Sequence, residues 1–206
     1  MTRIQLREIN AGAKWRETAA NAFGGQGSMG NGGAMRVAPL GAYFAEDLER
    51  CAEEAKLSAL VTHTHPEAVA GTIAIAVAAA SVWQSRNAQL AERIERLFVE
   101  VIRLTPESQV RRKLLVASAT PAEVPIADVA HALGDGSLVT AADTVPFCVW
   151  MSAHHLGDFV GALGKTISAG GDCDTNAAIA GGIVALNVGY EGIPGEWLKE
   201  RERVQI

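Results

Sequence analysis

Along almost the whole chain, apolar positions recur three and four residues apart, the period of one helix face. No segment sustains the every-other-residue alternation of a half-buried strand. The pattern predicts a first helix over residues 2–22, ending ahead of the glycine-rich "FGGQGSMGNGGAM", a short helix opened by Pro39, and an amphipathic helix from Glu46 to Leu60. Pro66, after "THTH", stands where a first helical turn accepts proline. The uncharged run "AVAGTIAIAVAAASVW" from Ala68 to Trp83 then reads as a central buried helix, because it falls short of the roughly 20 residues a membrane span needs.

In "AQLAERIERLFVEVIRL", Leu90, Ile94, Leu97, Val101 and Leu104 share one face, and Glu92, Arg93, Glu95 and Arg96 lie on the other. Pro106 restarts the chain into a helix reaching about Ala119, and "IADVAHALGDG" runs to a glycine stop. Asp143 or Thr144 caps the next helix, with Pro146 near its start and His154–His155 at its end, where the helix dipole favours them. Asp158 caps another, Asp174 or Thr175 the last long one, and Pro194 begins a short terminal helix. The sum is an all-α, multi-helix bundle forming a single domain over residues 1–206, without repeats or a linker.

Composition adds limits. A formal charge of -5, from 18 Lys+Arg against 23 Asp+Glu, speaks against a nucleic-acid partner. The three cysteines, Cys51, Cys148 and Cys173, lack the spacing of a zinc site or a disulfide framework and fit a reducing cytoplasm. The opening "MTRIQLREIN" has no apolar region of the signal-peptide kind, and no membrane partner is expected.

The candidate chemistry lies in three segments. In "GGDCDTN", Asp172, Asp174 and Thr175 are hard oxygen donors at a helix start, suited to Mg²⁺ or Mn²⁺ rather than zinc. The same residues also fit a simple helix cap, and the spacing accommodates both readings. "GQGSMGNGGAMR" offers backbone N–H groups that can cradle phosphate, yet no GK[ST] follows, and an ordinary flexible turn has the same composition. Of His63 and His65 in "VTHTHPEA", two residues apart and so on different helix faces, one can donate to a phosphate or ribose while the other caps or packs. A structural histidine is the default for each.

Taken in order, "GSMGNGGAMRVAPLGAY", "THTHPEA" and "GGDCDTNAAIAGGIVA" resemble the ADP-ribosylglycohydrolase family, and the likeness covers most of the chain. The resemblance implies an all-α orthogonal bundle around a cleft with two Mg²⁺ or Mn²⁺ ions, and a hydrolase that cleaves the glycosidic bond between ADP-ribose and a modified side chain. The partner would be an ADP-ribosylated protein or an ADP-ribose-containing small molecule. By resemblance Asp172, Asp174 and Thr175 are metal ligands, the two aspartates being catalytic. Gly27, Ser28, Gly30, Asn31, Gly32 and Met35 match the loop that holds the diphosphate and inner ribose, and His63 lines the same cleft. Arg36 pins that loop to the core. The family's other metal ligands, a threonine followed by paired aspartates, have no counterpart, since no adjoining aspartates occur in this sequence. The chain is therefore expected to hold the C-terminal two-thirds of the usual domain, with a second ion poorly held and an inactive ADP-ribose-binding module as the alternative.

Overall fold

A computed structural model describes residues 2–202, Thr2 by its backbone alone. The chain begins with α1 (Thr2–Asn10), α2 (Trp15–Ala20) and the short α3 (Ala22–Gly25). After a 3₁₀ turn at Ala34–Arg36 come α4 (Ala38–Tyr43), α5 (Leu48–Leu60), α6 (Pro66–Gln84), α7 (Leu90–Leu104) and α8 (Gln109–Ala119). The remainder is α9 (Ile126–Leu133), α10 (Ala141–His154), α11 (Phe159–Ser168), α12 (Cys173–Val188) and α13 (Gly195–Glu200). Among the described residues there is no strand; a lone bridge pairs Gly30 with Thr140.

The bundle is built around α6, which is apolar on every side and buried from Ala68 through Val82. It is long and apolar enough to cross a membrane, but α4, α5, α7, α10 and α12 enclose it. Its small residues permit close approach. A Cβ at Gly41 of α4 would lie 2.3 Å from the Ala76 carbonyl oxygen, and one at Gly71 would lie 2.8 Å from the Ala141 Cβ. In α7, Leu97 and Val101 are buried while Ile94 and Leu104 pack at the edge of the core. Leu90, on the same predicted face, is exposed.

Several predicted ends move, each for a visible reason. The first helix does not reach residue 22. It stops at Asn10, where Gly12 takes φ +97°, the Gly12 N–H bonds the Ile9 carbonyl, and the Ala13 N–H bonds that of Glu8. This is a Schellman termination. The helix restarted at Pro106 begins at Gln109 instead, where Ser108 Oγ accepts the Arg111 N–H at 3.1 Å and the Glu67 carboxylate accepts those of Gln109 and Val110.

α10 begins before its two predicted caps. Its N-cap is Thr140, whose side chain makes no capping bond, and Pro146 lies inside the helix. A tertiary bond, Ala141 N–H to the Met29 carbonyl at 3.0 Å, sets that start. Asp143 is used elsewhere, accepting the Leu138 N–H. For α12, Asp174 and Thr175 fall within the first turn, and Asp172 occupies the N-cap without bonding any first-turn N–H through its side chain. Asp158 caps α11 as predicted, accepting the Gly161 N–H at 2.8 Å, and Pro194 immediately precedes α13.

Candidate functional site

The glycine-rich segment is held as a loop by pairing with a stretch more than a hundred residues away. The Asn31 N–H bonds the Val139 carbonyl at 3.2 Å, beside the Ala141–Met29 bond. Gly27 has φ +76°, and a Cβ there would lie 2.2 Å from Thr64 Oγ1 and 2.7 Å from the His65 nitrogen, so this position admits only glycine. The N–H groups of Ser28, Met29 and Gly32 have no acceptor among the described residues. Backbone donors left unpaired in this way are what an anion-binding loop offers.

All seven residues expected to meet the nucleotide, Gly27, Ser28, Gly30, Asn31, Gly32, Met35 and His63, line one cavity of about 770 Å³. Neither Asp172 nor Asp174 lines it, and Asp172 reaches it through Asn31. Asn31 Nδ2 donates to Asp172 Oδ2 at 2.7 Å and to Thr144 Oγ1 at 3.0 Å, and Thr175 Oγ1 lies 4.0 Å from Met35 Sδ. The Asn31 amide nitrogen is thus turned onto a carboxylate, while the residue still lines the cavity. Asp174 Oδ1 accepts the Thr175 N–H at 2.9 Å. Hydrogen bonding to the Asp172 carboxyl, and then to that N–H, holds the exposed Asp174 carboxyl below its ordinary range.

Two glycines shape the turn that presents Asp172. Gly171 has φ +70° and sits against the Asp135 carbonyl, which accepts the Asp172 N–H at 3.1 Å and Asn176 Nδ2 at 2.6 Å. Cys173, between the aspartates, is half-buried with its Sγ 3.5 Å from the Ile167 carbonyl.

The two histidines of "THTH" divide their roles. His65 caps α6, its Nδ1 accepting the Glu67 N–H at 3.1 Å. His63, only 6% exposed, faces the loop: a Cβ at Gly32 would lie 3.1 Å from its Nε2. Its Nδ1 is 2.7 Å from Thr62 Oγ1, which also receives Arg36 Nη2 at 2.9 Å. Burial, reinforced by the Arg36 charge, pushes the His63 pKa down to about 4, so the ring is neutral at pH 7. Arg36 also donates to the Ser58 carbonyl at 3.3 Å, tying the loop to α5 as predicted.

The sequence reading missed the cavity's apolar wall. Phe23, Leu138 and Val139 line it, 54%, 73% and 56% exposed. Phe23 and Val139 both take left-handed backbone, φ 53° and 56°, which is strained for a bulky or β-branched residue. Phe23 carried one usable signal, its place directly ahead of two glycines. Nothing local marked Val139.

Known proteins place this arrangement. The family model for ADP-ribosylglycohydrolase matches residues 2–206. The chain is 32% identical to the ADP-ribosylhydrolase ARH3 of Gallus gallus, over 92% of this chain and 58% of that protein. It is 30% identical to the ADP-ribosylhydrolase ARH3 of Danio rerio, over 85% of this chain and 54% of that one. It is also 34% identical to an uncharacterized protein of Archaeoglobus fulgidus, over 83% and 54%. The chain spans a little over half the length of these relatives. With the helical bundle, the loop cavity and a family match running over nearly every residue, the chain belongs to the ADP-ribosylglycohydrolase family.

Proposed function

We propose that this chain binds ADP-ribose in the loop cavity and serves a hydrolase that cleaves the glycosidic bond joining ADP-ribose to a modified side chain. The observation that carries the reading is the Asn31–Asp172 bond, which joins the phosphate-cradling loop to the acidic turn at a single site. The unpaired N–H groups of the loop suit the diphosphate. The exposed faces of Phe23, Leu138 and Val139 suit a flat, weakly polar base such as adenine.

The donor set fits a hard divalent cation. Asp172, Asp174 and Thr175 would hold Mg²⁺ or Mn²⁺ through oxygen atoms, and Asn31 orients the first of these carboxylates. When bound, the cation would supply Lewis-acid stabilisation of negative charge developing on the leaving group. Asp172 and Asp174 are the carboxylates available to take or give a proton as water adds at the anomeric carbon.

One observation favours a second reading, an ADP-ribose-binding module without turnover by this chain alone. Among the described residues, no group of three or more His, Cys, Asp or Glu side chains is arranged to hold a metal, so any ion at the acidic turn would have two carboxylates at most among its ligands.

Calorimetric titration with ADP-ribose, with and without Mg²⁺ or Mn²⁺, tests the reading against an Asp172→Ala, Asp174→Ala variant. Metal-dependent binding that the variant loses supports it. A folded chain that binds nothing under any condition refutes it. Release of ADP-ribose from a modified protein then separates hydrolase from binding module.

A further inference from the structure

His63 is held by a relay that runs through Arg36 and Thr62. Arg36 can only donate, and its Nη2 is 2.9 Å from Thr62 Oγ1. Thr62 is buried, and the next partner of its hydroxyl is His63 Nδ1 at 2.7 Å. If Nδ1 carried the ring proton, Thr62 would accept from both sides and its own buried hydrogen would have nowhere to go. An unmade buried hydrogen bond is costly, so the arrangement that satisfies every group runs in one direction, from Arg36 to Thr62 and from Thr62 to His63 Nδ1.

The far side of the ring completes the argument. His63 Nε2 has no hydrogen-bond partner among the described residues, yet it is not among their enclosed, unpaired polar atoms. It faces Gly30 and Gly32, where added Cβ atoms would lie 3.3 and 3.1 Å away, at the cavity wall. Side chains at either glycine would close the approach to this nitrogen.

We propose that Arg36 and Thr62 are positioning residues that fix His63 in the tautomer protonated on Nε2, so that the ring presents a neutral N–H donor to an oxygen of the bound nucleotide. The recognition half of this inference rests on the reading of the cavity as an ADP-ribose site; the tautomer half does not. A neutral donor suits a ligand that must also leave, because it binds an anion without forming a full ion pair. The relay also gives a role to Arg36, which lines the cavity while its guanidinium donates to Thr62 and the Ser58 carbonyl.

Two readouts on the same protein test it. Nitrogen NMR of the ¹⁵N-labelled chain at pH 7 reports which His63 nitrogen bears the proton, and calorimetry reports ADP-ribose affinity. The wild type and Thr62→Ser are expected to carry it on Nε2. Thr62→Val, which keeps the shape and removes the hydroxyl, is expected to show a mixture of tautomers and about tenfold weaker binding. Serine rescue distinguishes the relay from simple packing, and denaturant unfolding of each variant confirms a folded protein. A wild-type proton on Nδ1, or a Thr62→Val spectrum identical to the wild type, overturns the relay. An intact tautomer pattern in a chain that binds no ADP-ribose upholds the relay and sinks the nucleotide reading instead.

Discussion

His63 makes acid a specific threat to this fold, and the size of the effect follows from its surroundings. Burial first, and the Arg36 charge second, lower its pKa to about 4 from an ordinary 6.5. Between those values the unfolded chain takes up a proton that the folded chain refuses, so stability is full above about pH 6.5 and falls as the pH drops. At pH 5 the unfolded histidine is about 1.5 units below its pKa while the folded one is still neutral. At 1.36 kcal/mol per unit, the fold has lost about 2 kcal/mol relative to pH 7. Near pH 4 the folded ring begins to titrate, and the loss levels off at about 3 kcal/mol.

The assay is urea unfolding of the wild type and of His63→Asn at pH 7 and pH 5. Carboxylates common to both proteins shift both curves alike, so the difference between the two pH responses isolates the histidine. The wild type should lose about 2 kcal/mol more than the variant over that interval. Equal losses, or a larger loss in the variant, would show that the ring is not buried neutral, and the reasoning would fail.

Gly171→Ala should destabilise the chain by about 2 kcal/mol or more, because its φ is +70° and the new Cβ would meet the Asp135 carbonyl oxygen at 2.0 Å; thermal unfolding measures it. Ser108→Ala removes the cap that accepts the Arg111 N–H and should cost about 1 kcal/mol in urea unfolding. Its ADP-ribose titration should match the wild type, as Ser108 is not among the residues lining the cavity.

Where one local pattern dominates, the fold was legible. The unbroken apolar run of α6 required burial and is buried, and the single face of α7 is buried at Leu97 and Val101 though not at Leu90. The break after Asn10 escaped notice because a single glycine is compatible with a helix interior, and only its left-handed turn at Gly12 ends the helix. The start of α10 was unreadable for a different reason. Asp143 and Thr144 have the right chemistry for a cap, but a bond from Ala141 to Met29 outranks local preference.

The same division runs through the candidate site. Glycines and aspartates announce themselves by type, and the seven loop and histidine positions did converge on one cavity. The direction of the Asn31 amide is set by Thr144 and Asp172, neither of them near it in sequence. Leu138 and Val139 look like core residues, and their exposure follows from a backbone reversal fixed by pairing with the glycine loop.

The bond between Asn31 and Asp172 also imposes an order in time. Its partners are 141 positions apart. A ribosome adding roughly 5–20 residues per second leaves the Asn31 amide without its carboxylate for about 7–30 s. Once residue 84 has been added, the glycine loop, His63 and α6 all exist, while the acidic turn and the helix that carries it do not. A chain arrested upstream of Asp172 would hold a half-built cleft with the Asn31 amide in its wall lacking its carboxylate. The acidic half of the cleft is the last part of it to be made.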